Sequence, residues 1–190
     1  MPRYRYKCRK TRKRVVEVLT EIRNKEIPGT IQLLTESQSF PGADAPLMLK
    51  PVGRECDPHC LKYANMLKAI TTVLQVLVKL HALGWCHCDV RWPNVICDIK
   101  ANKFVLIDFE FARRCGEGAP TIKTRFIHEE IRDRGEWYPF GDTHQVALMI
   151  QCWMSIHDSE QINANIISKI SNEKWSAEKL LKHFESLEVS

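Results

Sequence analysis

No stretch of this 190-residue sequence approaches the run of about 18 apolar residues that a membrane-spanning helix needs. The greasiest segment, residues 73–78, is broken by Gln75 and stops at Lys79. Behind the basic start lies no apolar segment of the kind a secretory signal peptide carries. Glycine and proline are sparse, at eight and nine residues, which excludes collagen-like and low-complexity chains. Acidic side chains are missing from residues 1–14, a basic N-terminal segment that holds eight of the 28 Lys and Arg residues. Without that segment, twenty basic side chains face 23 acidic ones. The body of the chain is therefore mildly acidic, and no specific nucleic acid partner is expected. The segment itself has the composition of a nuclear localisation signal or a polyanion contact, and equally of a plain solvated terminus.

Apolar residues, by contrast, make up 44% of the sequence. That is enough for one folded domain over residues 1–190 and too many for a disordered chain. Eight cysteines without a secretory signal point to free thiols in a reducing compartment, hence to an intracellular protein, cytoplasmic or nuclear. Cys56, His59 and Cys60, followed by Cys86, His87 and Cys88, invite a zinc reading, but a structural zinc site wants two tidy ligand pairs. Alternation along an extended segment instead turns Cys86 and Cys88 to one side and His87 to the other.

Hydrophobic periodicity orders the chain. Apolar positions 15, 18, 19 and 22 mark a helix face, which Ile27, Pro28 and Gly29 end. Residues 30–35 and 47–49 read as strands around a loop with Pro41, Gly42 and Pro46. Residues 51–58 read as an irregular connection. Residues 63–83 form the longest helical pattern, apolar nearly all round, which marks a buried helix with Gly84 as its stop. Two β patterns, 94–99 and 104–107, flank a polar turn and predict a hairpin. The chain is then irregular to about Gly141. Helical patterns follow over 143–156, ambiguously over 162–170, and over 177–187 behind Ser176 as N-cap. The class is α+β, with strands early and helices late.

Chemistry concentrates in His87-Cys88-Asp89-Val90-Arg91-Trp92-Pro93-Asn94 and in Asp108-Phe109-Glu110. One carboxylate, one cation and one amide stand within six residues, and a hairpin returns a second carboxylate to the same place. Carboxylate and amide oxygens are the hard ligands that Mg²⁺ takes alongside substrate phosphate. This is the residue pattern of a metal-phosphate site. It also resembles the catalytic loop H-R-D-x-x-x-x-N and the D-F-G motif of protein kinases. Further matches follow in order. Residues 80–87 resemble the L-H-x-x-G-x-x-H that leads into that loop, and residues 124–130 the G-T-x-x-x-A-P-E of the activation segment. Gly141-Asp142 resembles the start of the central buried helix, whose Asp steadies the loop. Residues 174–184 resemble the last kinase helix, with Lys174 matching the partner of Glu130 in a buried ion pair.

The resemblance implies a protein-kinase-like fold, with residues 54–190 as the helical large lobe and 1–53 as a truncated small lobe and hinge. It implies transfer of the ATP γ-phosphoryl group to a protein Ser or Thr hydroxyl. Asp89 and Arg91 would be catalytic, Asn94 and Asp108 would hold Mg²⁺ and nucleotide, and Lys50 and Val52 would lie at the adenine hinge. Residues 15–22 resemble helix C, with Glu17 as its ion-pair acid. Departures are equally plain. No G-x-G-x-x-G is present, no third-strand Lys stands at a suitable distance before Glu17, Cys88 replaces the Arg of H-R-D, and Glu110 replaces the Gly of D-F-G. A scaffold-type pseudokinase, or a fragment of a longer kinase, is the alternative. A small-molecule kinase fits less well, because of the activation-segment match.

Overall fold

The structure, a computed structural model, describes residues 9–36, 47–98, 100–158, 162 and 164–188. The predicted loop around Pro41, Gly42 and Pro46 and the first eight residues of the basic segment lie outside them. Helix α1 (Arg9–Asn24) buries Val15, Val18, Leu19 and Ile22, the face that the sequence spacing marks. Strands β1 (Gln32–Glu36) and β2 (Leu47–Lys50) pair antiparallel. Between α1 and β1, Gly29 adopts φ +75°, and a Cβ there would stand 2.8 Å from Thr72 Cγ2. A side chain at this position would push the crossing away from the next helix.

That helix, α2 (Tyr63–Ala82), is buried on nearly every side, as its all-round apolar pattern predicts; Leu67, Ile70, Val73, Leu74, Val76, Leu77 and Leu80 all enter the core. Truncating one of these, for instance Leu77→Ala, costs about 2–5 kcal/mol. Strand β4 (Trp85–Cys86) follows. The predicted hairpin forms as β5 (Val95–Asp98) and β6 (Lys103–Leu106), and β3 (Arg54–Glu55) adds to its edge. Residues 51–58 are thus not wholly irregular, because β3 finds backbone partners 42 or so residues downstream. Strand β7 (Arg113–Arg114) pairs with β4, and helix α3 (Glu129–Arg134) interrupts the stretch that sequence leaves irregular. Neither carries a periodic apolar signal long enough to read. Helices α4 (Pro139–His157), α5 (Ala164–Asn172) and α6 (Ala177–Glu188) complete the chain. Ser176 caps α6 as predicted, its hydroxyl accepting from the Lys179 N–H at 3.2 Å.

One hydrophobic core runs from Val15 to Phe184, and α2 packs against both α4 and α6 within it. A smaller cluster gathers Cys86, Cys88, Ile131 and Trp137. Among the described residues, no helix is long and apolar enough to cross a membrane.

Candidate active site

Asp142, in the first turn of α4, organises the site. Its carboxylate is completely buried and takes four donors: the N–H of His87 at 2.8 Å, the N–H of Cys88 at 2.9 Å, Trp137 Nε1 at 3.0 Å and His81 Nε2 at 2.9 Å. Burial alone would raise its pKa, but the bond from His81 and the nearby His87 outweigh that and hold it below the ordinary value. Gly141 lets the helix start approach Trp137, since a Cβ there would lie 2.8 Å from the indole ring. Gln145, one turn on, accepts from the Val90 N–H at 2.7 Å and donates to the carbonyls of Cys88 and Phe126 at 3.2 Å each. Sequence reading misses Gln145. Its spacing of three from Asp142 on one helix face is the signal that could have found it.

On this base the loop carries its functional groups. Asp89 is 5% exposed, and its Oδ2 accepts from Arg91 Nε at 3.0 Å and from Asn94 Nδ2 at 2.8 Å. Asn94 also donates to the Asp89 carbonyl at 2.7 Å, which commits its nitrogen and leaves its amide oxygen as a ligand atom. Cys88 sits at φ +67°, the turn that brings Asp89 round to Asn94. The hairpin returns where expected: the Ile107 N–H donates to the Asn94 carbonyl at 2.9 Å, and Asp108 follows directly. His87 bonds the Ile107 carbonyl through Nε2 at 3.1 Å and packs on Phe109, with ring centroids 4.7 Å apart. It is a support beneath the loop. Cys86 and Cys88 turn into the smaller cluster on the other side, as alternation predicts.

Asp108 is in the left-handed region at φ +66°, and its side chain accepts from the Glu110 N–H at 3.4 Å. Glu110 itself lies in a 3₁₀ turn, Phe109–Phe111, and is not among the residues with positive φ. The unusual backbone state therefore falls on Asp108, which tolerates it, so Glu can occupy the third position.

The structure thus brings Asp89, Arg91 and Asn94 into direct contact, and the backbone bond from Ile107 to Asn94 ties the residue before Asp108 to them. Lys50 and Val52 stand apart. Val52 is 61% exposed, and Lys50 lines a separate cavity with Gly29, Lys68, Thr72 and Lys103. A second cavity, of ≈ 610 Å³, opens against Val90, Arg91 and Pro93 and is walled by Phe126, Met149 and Cys152. Glu17 pairs with Arg114 at 2.9 Å, and Glu21 with the same guanidinium at 2.6 Å. Lys174 reaches Glu130 in the predicted ion pair, which Arg134 joins at 2.8 Å.

A protein-kinase-like fold is what this arrangement defines. It superposes on the Cydia pomonella granulovirus kinase PK-1 with a TM-score of 0.61 and 21% identity, covering 74% of this chain and 56% of that one. Over 102 residues, 54% of the chain, the sequence is 41% identical to Crinkler effector protein 8 of Phytophthora infestans. The matched segment is 16% of that protein's length. No family model matches the chain.

Proposed function

We propose that the chain is a protein-kinase-like phosphotransferase that moves the ATP γ-phosphoryl group to a Ser or Thr hydroxyl of a protein. The observation that carries this reading is the fixed Asp89 carboxylate, gripped by Asn94 and by Arg91, which itself lines the ≈ 610 Å³ cavity. A carboxylate so held can orient an incoming hydroxyl and accept its proton. Arg91 adds a cation where developing phosphoryl charge needs one. The Asn94 amide oxygen and the Asp108 carboxylate are hard donors that fit Mg²⁺, whose role when bound is to neutralise phosphate charge. The cavity beside Arg91 is the acceptor side in this reading. The name of the relative from Phytophthora infestans, an effector, is in keeping with an acceptor on another protein.

One observation favours a second reading, a nucleotide-free binding module. Glu17, the helix acid expected to meet a nucleotide-binding Lys, is bonded to Arg114. Titration of the 190-residue chain with ATP and Mg²⁺ separates the two. Phosphotransfer predicts micromolar binding lost in Asp108→Ala, and a turnover that Asp89→Ala lowers by about 10²–10⁴-fold with nucleotide affinity kept. No binding at millimolar ATP would leave the binding module. Transfer by Asp89→Ala at the parent rate would remove Asp89 from the chemistry.

A further inference from the structure

Strands β4 and β7 pair antiparallel with Trp85 opposite Arg114 and Cys86 opposite Arg113. The ladder continues one step further, since the Cys115 N–H donates to the Gly84 carbonyl at 2.9 Å. Cys115 thus leaves the end of β7 just past the step where Cys86 sits in β4. From there the Cys115 side chain reaches Cys86. Their sulfurs stand 3.0 Å apart, 29 residues from each other in sequence. Closing that gap to a sulfur–sulfur bond of about 2.05 Å takes a movement of only ~1 Å.

We propose that Cys86 and Cys115 are an oxidisable dithiol pair, which hydrogen peroxide or a related two-electron oxidant converts to a reversible disulfide stapling β4 to β7. The two thiols differ as such a reaction requires. Cys115 is half-buried, and the hydrogen bond it shares with Cys86 brings its thiol down to about 7 against the opposing effect of burial. Cys86 is fully buried, and that shared hydrogen bond together with burial raises its pKa far above the ordinary thiol value. Cys115 is the attacking sulfur, and Cys86 the resolving one.

Attack by Cys115 sulfur on a peroxide oxygen breaks the O–O bond, leaves Cys115 as sulfenic acid and releases one water once its thiol proton is counted. Cys86 sulfur then attacks the sulfenic sulfur. The S–S bond forms, the S–O bond breaks, and the Cys86 proton leaves with the hydroxyl as a second water. Two thiols have lost two electrons, and one peroxide has gained them.

A metal is the poorer reading of the same neighbourhood. Ligand atoms of His81, Cys86 and Asp142 lie within 4.8 Å of one another, but both Asp142 oxygens already take two donors each. The cross-link would enclose residues 86–115 in one covalent loop, with Asp89, Asn94 and Asp108 inside it. It would fix the start of the segment that follows Asp108 against the strand that precedes Asp89. This chemistry does not depend on the phosphotransfer reading.

The test is peptide mapping of the full chain, reduced, exposed to hydrogen peroxide, alkylated and digested with trypsin without reductant. The expected product joins peptide 80–91 to peptide 115–123 with the loss of two hydrogens and with Cys88 alkylated. It becomes the main species before the exposed Cys60 or Cys152 gains oxygen, and dithiothreitol reverses it. Amides of residues 113–118 then exchange more slowly in the oxidised chain. Cys88→Ala keeps the product and Cys115→Ser loses it; should Cys115→Ser not fold, the parent map decides alone. Oxidised Cys60 and Cys152 alongside fully alkylated Cys86 and Cys115 would overturn the proposal. So would a Cys86–Cys88 link, or Cys115 accumulating as sulfinic acid.

Discussion

Glu21 and Arg114, 93 residues apart in sequence, meet at 2.6 Å between Oε1 and Nη2. The other Glu21 oxygen accepts from Trp85 Nε1 at 3.0 Å, and the Arg114 guanidinium lies 4.0 Å from the Trp85 ring centroid. Helix α1 is thereby fastened to β4 and β7 through its acidic face, with Glu17 as a further acceptor for Arg114.

Removing the two acids should have unequal effects. Glu17→Ala breaks a half-exposed pair and is expected to cost less than about 1 kcal/mol. Glu21→Ala also leaves the indole N–H of Trp85, a residue 1% exposed, without its acceptor, and is expected to cost about 1–3 kcal/mol. Denaturant melts of the two variants check this. Equal midpoints would mean that the Trp85 bond contributes nothing.

Phosphorylation of the segment after Asp108 is expected to change activity little, if the chain transfers phosphate. Cys88 stands where the H-R-D pattern has its Arg, and the arginines 113, 114 and 125 are already engaged. Arg113 donates to the carbonyls of Phe111 and Ala112, Arg114 is held by Glu17 and Glu21, and Arg125 lies over Phe126. A phosphate on Thr121 or Thr124 therefore meets less free charge. Loss of most activity on phosphatase treatment, regained by rephosphorylating either Thr, would contradict this.

The Glu130–Lys174 pair gives a third expectation. The Lys174 side chain is 43% exposed and Glu130 21%, so the pair is only partly withdrawn from water. The hydrogen bond from Lys174 lowers the Glu130 pKa, and Arg134 adds to that effect. Lys174→Met should lower the unfolding midpoint by less than loss of a buried pair does, because Arg134 stays with Glu130. Lys174→Arg, with its planar fork, should be neutral or stabilising. A Lys174→Met chain melting with the parent would show that the pair contributes no stability.

A fourth expectation concerns pH. His144 bonds Ser171 through Nδ1 at 2.9 Å, its ring meets His128 edge-on at 5.2 Å, and burial followed by repulsion from His128 lowers its pKa to about 4. The unfolded chain binds this proton near pH 6.5 and the folded chain near 4, so between those values the unfolded state holds more protons. The contribution of His144 to stability is therefore full above about 6.5 and falls as pH drops toward 4. Melting temperatures taken across that window should decline in the parent and decline less in His144→Gln. Identical slopes would remove His144 as the source.

Local pattern in the sequence determined the large helices, the β5–β6 hairpin, the cap at Ser176 and the cluster of Asp89, Arg91 and Asn94. These rest on contacts within a few residues or on a repeating apolar face, both of which a linear chain displays. It also determined the opposite facing of Cys86 and His87, because alternation in an extended segment is a local rule. Only the tertiary structure decided which partners meet across long separations. Glu17 and Glu21 find Arg114, Gln145 holds the carbonyl of Cys88 and the N–H of Val90, and Cys115 comes to rest against Cys86. The short elements β3, β7 and α3 belong with these. Each is too brief to bury a face of its own, so it exists only where another part of the chain supplies the hydrogen bonds or the packing that complete it.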